Sequence, residues 1–524
     1  MTGRRRPLRP LAAVLLLFLL PLLAAAAEDG GTVGEPASSE RTVVTEASLA
    51  LGEETLSYRT TAGFLPIGED PAQPQARMFF VAYDRRDAGD PTARPITFLF
   101  NGGPGAASVF LHLGAAGPRR LAGPDDGELP SPPARLEDNP ATWLRFTDLV
   151  FVDPVGTGYS RTVDRQGGGG KAKAEGRKGK DADFFEVGAD LDSIGRFLRL
   201  YLTRYDRWAS PRVVAGESYG GFRAAVLPRR LLERFDIALN GVVLLSPVLE
   251  FALLRGAERY NLLPWATLAP SLAVTAGFHG RGRLAGVGED PGPRIGEVEG
   301  FVLDRLLPGL ARLGRLPPAE RDALFADYAD YLGLPAEMVA RKRGRFDGRS
   351  FAKRLLASEG RILGLYDGRL TAVDPLPDRV AYRGDPSFLR VAAPFAEAVV
   401  RYLREEIGFR TDRRYRVLAR ELAHRWDYGK ALGGGQGFIG ASDDLAFALA
   451  TMPDFEVLIA HGYHDLVTPW FASRYLVEQM PLPAEALRRV RFVTLPGGHM
   501  FYLRDASRRS LTEALAAFYA RLAD

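Results

Sequence analysis

The chain of 524 residues contains no cysteine and only six histidines. Without cysteine it can form neither disulfides nor thiolate metal sites, and it cannot carry a lipid on an N-terminal cysteine. The hydrophobic core alone must therefore stabilise the fold, and the length allows a large core and more than one domain. An exported protein without disulfides is compatible with a bacterial periplasm or secreted fraction.

Long apolar runs are missing after the first 27 residues. Residues 1–27 have a basic start, an apolar stretch and small residues up to Ala27, which is the layout of a secretory signal peptide. A transmembrane anchor is the alternative, but the apolar run is short and contains Pro21. We expect a signal peptide over residues 1–27, a periplasmic or secreted location and no stable membrane anchor.

Net charge is missing from the rest of the chain. Residues 1–27 hold four arginines and no acid, so their removal lowers the formal charge from +4 to 0. A neutral protein has no general electrostatic attraction for nucleic acids or anionic membranes. We therefore expect no nucleic-acid partner, and the sequence leaves the oligomeric state open.

The chain from residue 41 onward alternates apolar strands with helices. This alternation predicts an α/β fold with a mostly parallel central sheet and helices on both faces. The predicted elements are a hairpin over 42–58, strands at 78–83, 96–100 and 149–153, a helix at 184–205, a strand at 213–215, a helix at 219–235, strands at 242–245, 455–460 and 491–495, and a helix at 510–523.

Two regions depart from that alternation. Residues 251–440 are helix-like, and we interpret them as an inserted cap between core segments 41–250 and 441–524. Residues 28–40 form a predicted disordered linker. Residues 161–180 contain four consecutive glycines and several basic side chains; a surface loop is the preferred interpretation, and a basic binding patch is the alternative.

The sequence Gly216-Glu217-Ser218-Tyr219-Gly220 lies between a predicted strand and a predicted helix. This G-x-S-x-G pattern in that context is typical of a nucleophile elbow, a strained turn that exposes a reactive serine. Glycine is needed on either side because larger side chains would clash. The alternative is an ordinary turn in which Ser218 caps the next helix.

A nucleophilic serine needs a general base and an acid that orients it. His499 follows the last predicted strand, and Asp465 follows the strand before it. In the fold built on this elbow the order along the chain is serine, acid, histidine. We therefore predict Ser218, Asp465 and His499 as a catalytic triad, and neither a cofactor nor a metal. His461 and His464, next to Asp465, suggest a metal cluster as a weaker alternative because their spacing is loose.

An oxyanion hole requires backbone N–H groups near the serine. Tyr219, the residue after the nucleophile, provides one of them. The glycine-rich loop that follows the strand at 96–100 allows close approach and provides the second, which we assign to Gly103. The alternative interpretation of this loop is a simple tight turn.

Six ordered motifs resemble the serine carboxypeptidase family, and together they span most of the chain from residue 42. They are Asn101-Gly102-Gly103-Pro104-Gly105, Asp138-Asn139-Pro140-x-Thr142-Trp143, Asp153-Pro154-Val155-Gly156-Thr157-Gly158-Tyr159-Ser160, Gly216-Glu217-Ser218-Tyr219-Gly220-Gly221, Asp465-x-x-x-Pro469 and Gly498-His499-Met500. The resemblance implies an α/β-hydrolase fold with an inserted cap and an exported, bacterial-type enzyme. It also implies removal of single residues from peptides with a free C-terminus, usually best in acid.

The resemblance further implies that Glu217 and Asn101, assisted by the Gly102 amide, grip the substrate's terminal carboxylate. Two carboxylates in contact cannot both stay ionised, so Glu217 would share a proton with the substrate. The chain departs from the family at Leu99, where a tryptophan usually helps to hold the glutamate. It also departs at Ala106 and the next residue, where the family has Cys-Ser.

Three hypotheses follow from the sequence. The first is a serine carboxypeptidase. The second is an esterase or acyltransferase that uses the same triad without needing Glu217. The third is a binding protein that retains the fold without activity.

Overall fold

A mixed sheet forms the centre of the molecule. The computed structural model describes residues 42–123, 132–163, 184–254, 260–288, 290–388, 391–429 and 439–522. The predicted signal peptide, the predicted linker and most of the predicted loop at 161–180 lie outside these ranges. Among the described residues, no helix has both the length and the apolar character needed to cross a membrane.

The strands of the described chain are β1 (Val43–Leu51), β2 (Glu54–Ile67), β3 (Ala76–Arg85), β4 (Ile96–Phe100), β5 (Arg119–Leu121), β6 (Leu136–Asp138), β7 (Asp148–Val152), β8 (Arg161–Thr162), β9 (Arg212–Glu217), β10 (Gly241–Leu245), β11 (Arg361–Leu363), β12 (Thr371–Val373), β13 (Glu456–Gly462) and β14 (Val490–Leu495).

The helices are α1 (Val109–Leu111), α2 (Val187–Arg204), α3 (Tyr219–Phe235), α4 (Leu263–Phe278), α5 (Ile295–Gly300), α6 (Leu307–Ala311), α7 (Pro318–Leu332), α8 (Ala336–Arg341), α9 (Gly348–Arg354), α10 (Ala392–Glu405), α11 (Arg420–Arg425), α12 (Ser442–Thr451), α13 (Trp470–Glu478), α14 (Ala484–Leu487) and α15 (Asp505–Arg521).

The main sheet has the order β1-β2-β3-β7-β4-β9-β10-β13-β14, and β8 pairs with β3. The strands β1, β2 and β3 form an antiparallel edge, and β3 pairs with β7 in the antiparallel direction. The strands β7, β4, β9, β10, β13 and β14 are parallel to one another. The carboxyl ends of the parallel strands meet at one edge of the sheet, where loops can assemble a site.

Helices cover both faces of this sheet, as the alternating sequence predicted. In β4, Phe98 and Phe100 face the layer of α2, α3 and α12. Leu99 between them faces the opposite layer, which contains α1, α10 and α15. Because successive strand residues point to opposite faces, a strand buried on both sides is apolar at every position.

A third hydrophobic cluster belongs to the insertion. It contains residues from each of the helices α4 through α9, together with Trp470 and Phe471 at the start of α13. Helix α10 and the segment after it pack instead on the main sheet, through Phe395 and Val417. The insertion also contains the antiparallel pair β11 and β12. The predicted boundaries of the cap and of the two core segments stay predictions.

Most predicted elements are confirmed within a few residues. The hairpin at 42–58 is the start of the longer β1–β2 pair, and β4 and α3 begin and end where the sequence placed them. The last helix begins five residues earlier than predicted, at Asp505. Its first turn contains that aspartate, which favours a helix N-terminus.

Candidate active site

Ser218 lies on a sharp turn between β9 and α3. Its backbone has φ +60° and ψ −121°, a conformation that non-glycine residues rarely adopt. A methyl group at Gly216 would lie 1.9 Å from the Gly220 carbonyl oxygen, and one at Gly220 would lie 2.5 Å from the Phe100 carbonyl oxygen. Glycine is therefore required at both positions. The Ser218 side chain does not cap α3, so the helix-cap alternative is wrong.

Asp465 and His499 follow the neighbouring strands β13 and β14, and the structure brings them together. His499 Nδ1 lies 2.7 Å from Asp465 Oδ2. A proton on Nδ1 leaves Nε2 as the acceptor, which is the tautomer that a general base needs. Burial opposes charge on His499, but the Asp465 carboxylate, and then Glu217, raise its pKa above the ordinary value.

Asp465 is held by several further donors. Its Oδ1 accepts hydrogen bonds from the backbone N–H groups of Val467 (2.8 Å) and Thr468 (3.0 Å). The Thr468 hydroxyl lies 2.6 Å from Asp465 Oδ2 and 3.0 Å from His499 Nδ1. Sequence reasoning missed Thr468, although it lies one residue before the proline of the Asp465-x-x-x-Pro469 motif. These contacts fix the carboxylate against the imidazole.

The backbone of His499 is also fixed. Its carbonyl accepts a hydrogen bond from Ser246 Oγ at 2.8 Å, and its N–H donates to the Tyr366 carbonyl. Ser246 directly follows β10, the strand between the serine and the acid. The Tyr366 ring stands perpendicular to the imidazole with 5.0 Å between ring centroids. The insertion therefore supplies one wall beside the histidine.

Glu217 is buried next to the serine, at the end of β9. The Asn101 side-chain amide donates a hydrogen bond to its carboxyl group. Asn101 is itself held, because its side-chain oxygen accepts from the Leu111 N–H at 3.0 Å. Burial raises the pKa of Glu217 to about 7, although the charge of His499 and the polar groups of Tyr502 and Asn101 lower it. Near neutral pH this carboxyl group therefore carries a proton for much of the time.

Tyr502 is a further member of this cluster that the sequence did not reveal. It is buried, and its hydroxyl lies against the Glu217 carboxyl and the Asn101 amide. Its alignment falls short of a well-formed hydrogen bond to either group. Leu99 and Tyr502 belong to the same hydrophobic layer. The Tyr502 hydroxyl therefore comes to Glu217 from the side of the sheet that a tryptophan at position 99 would occupy.

The loop after β4 lies directly against the elbow. A methyl group on Gly102 would be 2.6 Å from the Tyr219 backbone nitrogen and 2.8 Å from Ser218 Cβ. The next residue, Gly103, has φ +105°, which favours glycine. The close approach permits backbone N–H groups from both segments to face one point. The assignment of Gly103 and Tyr219 as oxyanion donors stays a prediction.

A buried ion pair supports that loop from below, and sequence reasoning missed it. Arg223 on α3 donates to Asp190 Oδ2 at 2.7 Å and to the Asn101 carbonyl at 2.9 Å. Its guanidinium also lies 4.7 Å from the centroid of the Tyr219 ring. The arginine thus links helix α2, the loop and the elbow through one rigid fork.

Two of the motifs in the sequence shape loops. Asn139 Nδ2 donates to the carbonyls of Ala115 and Gly117, at 2.9 and 2.8 Å. Asp153 Oδ1 accepts from the N–H and hydroxyl of Ser108, at 3.0 and 2.9 Å. A methyl group on Gly158 would overlap the Asp153 carboxyl at 1.6 Å. These hydrogen bonds hold the loops around the site, and none of them is made to Glu217, Ser218 or Tyr219.

His461 and His464 take structural positions. His461 Nε2 lies 3.0 Å from Ser473 Oγ, and His464 Nδ1 lies 3.3 Å from Thr275 Oγ1. Burial lowers the pKa of His461 to about 3, so this ring is neutral. Within the described residues, no group of three or more acidic, histidine or cysteine side chains is arranged to hold a metal ion.

The strand order and the strained turn at Ser218 are those of the α/β-hydrolase fold. The chain aligns with a crystal structure of Kex1(Δ)p, a prohormone-processing carboxypeptidase from Saccharomyces cerevisiae, with a TM-score of 0.51 and 15% identity. The alignment covers 88% of this chain and 91% of that one, which confirms the predicted fold.

Residues 51–253, which are less than half of the chain, match the family model for serine carboxypeptidases. The pheromone-processing carboxypeptidase KEX1 of Saccharomyces cerevisiae (strain ATCC 204508 / S288c) is 27% identical over 190 residues, or 33% of this chain and 23% of its own. Serine carboxypeptidase-like 44 of Arabidopsis thaliana is 28% identical over 215 residues, or 38% of each chain. The match thus spans well under half the length of these relatives.

Proposed function

We propose that this protein is a serine carboxypeptidase that removes C-terminal residues from peptides. The observation that carries the proposal is the buried pair of Glu217 and Asn101 beside Ser218. A triad alone supports many kinds of acyl transfer, but a protonated carboxyl group next to the nucleophile favours a substrate with its own carboxylate.

In the proposed reaction, Ser218 Oγ attacks the carbonyl carbon of the last peptide bond while His499 Nε2 takes its proton. The N–H groups of Gly103 and Tyr219 stabilise the negative oxygen of the tetrahedral intermediate. His499 then donates the proton to the departing amino acid, which leaves an acyl-enzyme on Ser218. Water, deprotonated by His499, releases the shortened peptide, and Asp465 holds the imidazole throughout.

The terminal carboxylate of the substrate is proposed to lie between Glu217, Asn101 and the Gly102 N–H. Below the Glu217 pKa of about 7, the protonated carboxyl group donates a hydrogen bond to the substrate anion. Above it, two negative charges face each other and binding weakens. Tyr502 is proposed to hold Glu217 on the side away from the substrate carboxylate, in place of the tryptophan that the family usually has at position 99.

Export to the periplasm or the medium is part of the proposal, and it rests on the signal-peptide pattern of residues 1–27. The partners would then be extracellular or periplasmic peptides with a free C-terminus.

The test is digestion of a defined peptide mixture by the purified chain, followed by mass spectrometry. Stepwise loss of single C-terminal residues is expected from free acids, and much slower cleavage from the matching C-terminal amides. Ser218→Ala should lower turnover on the order of a million-fold. Activity within tenfold of the wild type in that variant would refute the assignment, and equal cleavage of acids and amides would favour an esterase.

A further inference from the structure

A groove lined by arginines lies beside the oxyanion loop. It has a volume of about 760 Å³ and runs between the start of α10, at Ala392, and the segment Arg413–Glu421. Helix α10 begins at Ala392, and its N-cap residue Val391 provides no side-chain cap, so the first turn presents the partial positive charge of a helix N-terminus to the groove. One wall of the groove therefore carries arginine side chains, and the other carries the partial positive charge of a helix N-terminus.

The arginines of the groove lie on one side of their segment. Arg414, Arg416 and Leu418 face outward and alternate with buried Tyr415 and Val417. This is the alternation of an extended strand, so the outward side chains form a line. Arg420, at the start of α11, continues it. We call Arg414, Arg416 and Arg420 the arginine row.

Hydrogen bonds fix the row to the catalytic loops. The N–H of Arg416 donates to the Gly158 carbonyl at 3.0 Å, and the N–H of Ala107 donates to the Val417 carbonyl at 3.0 Å. The N–H of Ala419 donates to the Gly105 carbonyl at 2.8 Å. These bonds join the strand to the loop that carries Gly103, at the position where the family has Cys-Ser. The row therefore has a rigid backbone at the rim of the site.

Positive charge exceeds negative charge along the row. Arg416 forms a long ion pair with Glu421, with 3.9 Å between Nη1 and Oε1. Arg414 and Arg420 are exposed, and no ion pair to an acid is recorded for either within the described chain. Arg161, which lines the same groove, donates hydrogen bonds to carbonyl groups, including that of Arg414 at 2.8 Å. Burial and the charges of Arg416 and Arg413 lower the pKa of Arg161 to about 10.

Two aromatic rings connect the last arginine of the row to His499. The Arg420 guanidinium lies 5.6 Å from the centroid of the Phe388 ring. Phe388 stacks on Tyr366 with 4.9 Å between centroids, and Tyr366 contacts His499 at 5.0 Å. Two aromatic rings thus separate the last arginine from the imidazole. Under the proposed function, a peptide that leaves the site on this side would cross these rings before it reaches the row.

We propose that the arginine row binds acidic side chains of the peptide on the N-terminal side of the scissile bond. This inference rests on the proposed function, in which the single residue to be removed lies in the buried pocket of Glu217. The remainder of the peptide must then leave across the rim. Acidic side chains two or more residues upstream would meet exposed guanidinium groups that form bidentate pairs with carboxylates.

The test compares blocked peptides that share their last two residues and carry either three glutamates or three glutamines upstream. For the wild type, kcat/KM is expected to be roughly tenfold higher on the glutamate peptide at low salt, and this ratio should shrink at high salt. The triple variant R414Q/R416Q/R420Q should bring the ratio close to one. Each single variant should lower it about twofold, because exposed ion pairs are individually weak and three such effects multiply to the total.

Two controls isolate the charge. R414K/R416K/R420K keeps three cations and should keep most of the preference. Arg199→Gln removes an exposed arginine from the outer helix α2 and should leave the ratio unchanged. A wild-type ratio near one, or a ratio that the triple glutamine variant does not change, overturns the proposal.

A binding measurement separates this inference from the proposed function. The full-length Ser218→Ala chain is titrated into fluorescent glutamate and glutamine peptides, and anisotropy is recorded. The proposal is supported if the Ser218→Ala chain binds the glutamate peptide more tightly and if adding R414Q/R416Q/R420Q removes this difference. Failure of the wild type to cleave either peptide would refute the carboxypeptidase function but not the role of the row. Equal binding of both peptides, or binding of anionic phospholipid vesicles instead of peptides, refutes the row.

Discussion

Two buried carboxyl groups lie within one site, and their surroundings differ. Asp465 accepts hydrogen bonds from two backbone N–H groups, a threonine hydroxyl and His499. Within the described part of the chain, the Asn101 amide is the hydrogen-bond donor found for Glu217, and burial raises the pKa of Glu217 to about 7. Hydrogen bonds to a carboxylate favour its charged form, whereas burial without enough of them favours the neutral form.

The difference assigns separate roles to the two acids. The Asp465 carboxylate, hydrogen-bonded to His499 Nδ1, can stabilise the imidazolium that forms when His499 takes the serine proton. A Glu217 that readily holds a proton can donate to a substrate anion instead. Under the proposed function, one carboxyl group would serve the chemical step and the other the choice of substrate. Variants of the two acids should therefore fail in different ways.

Asp465→Asn should cause the larger loss. The amide would favour the wrong imidazole tautomer and could not stabilise the imidazolium, so kcat should fall on the order of ten-thousand-fold. Free acids, amides and esters should all lose activity to a similar degree, because each needs the base. Steady-state kinetics on the three substrates checks this. A loss confined to free acids would transfer the orienting role to another residue.

Glu217→Gln should cause a smaller and selective loss. A charge-assisted hydrogen bond to the substrate is worth ~1.5–3 kcal/mol, and the glutamine N–H replaces the carboxyl O–H only in part, so kcat/KM on free acids should fall by up to about tenfold while esters are little affected. In the wild type, free-acid activity should decline as pH rises through about 7, because the glutamate loses its proton. In the variant that decline should disappear.

The pH profile of kcat/KM on a matched acid and ester measures both effects of Glu217→Gln. Glu233→Gln, which changes an exposed glutamate on the same helix that follows the elbow, is the control and should behave as the wild type. An equal loss on acid and ester would mean that Glu217 supports the elbow and does not select the substrate.

The sequence was sufficient for the parts of the molecule that follow chain order. β4 and α3 begin and end as predicted; a glycine-rich loop follows β4, and the glycine-flanked elbow precedes α3. Asp465 and His499 were found because parallel strands bring consecutive strand ends to one edge. The elbow was recognised from two glycines whose replacement would clash with backbone atoms.

The parts that depend on tertiary packing were not predicted. Tyr502 lies on a short 3-10 turn three residues after His499, and no local pattern marks it as a neighbour of Glu217. Arg223 and Asp190 are 33 residues apart on two helices, and their pairing appears when those helices pack together. The mixed packing of the insertion, partly on itself and partly on the sheet, also has no signal in its helical periodicity.

Tyr502→Phe should have the smallest effect and should sharpen the contrast between the acids. The variant keeps the buried ring and removes the hydroxyl next to Glu217. Because that hydroxyl lowers the Glu217 pKa, its removal should raise the pKa further. The alkaline decline of free-acid activity should then move to higher pH, and KM for free acids should rise about two- to tenfold since Glu217 is less well held.

The pH shift distinguishes a positioning role from a loss of packing. Tyr519→Phe is the matched control, because Tyr519 is buried in the same layer and its hydroxyl pairs with Thr97 at 2.7 Å, away from Glu217. Both variants lose one buried hydroxyl, and Tyr519→Phe should lower the thermal stability more, because the Tyr519 hydroxyl has a hydrogen-bond partner in Thr97. Tyr502 does not act on Glu217 if the free-acid activity of Tyr502→Phe declines at the same pH as that of the wild type, or if Tyr519→Phe shifts this pH equally. In either case the chain holds Glu217 without a substitute for the family tryptophan.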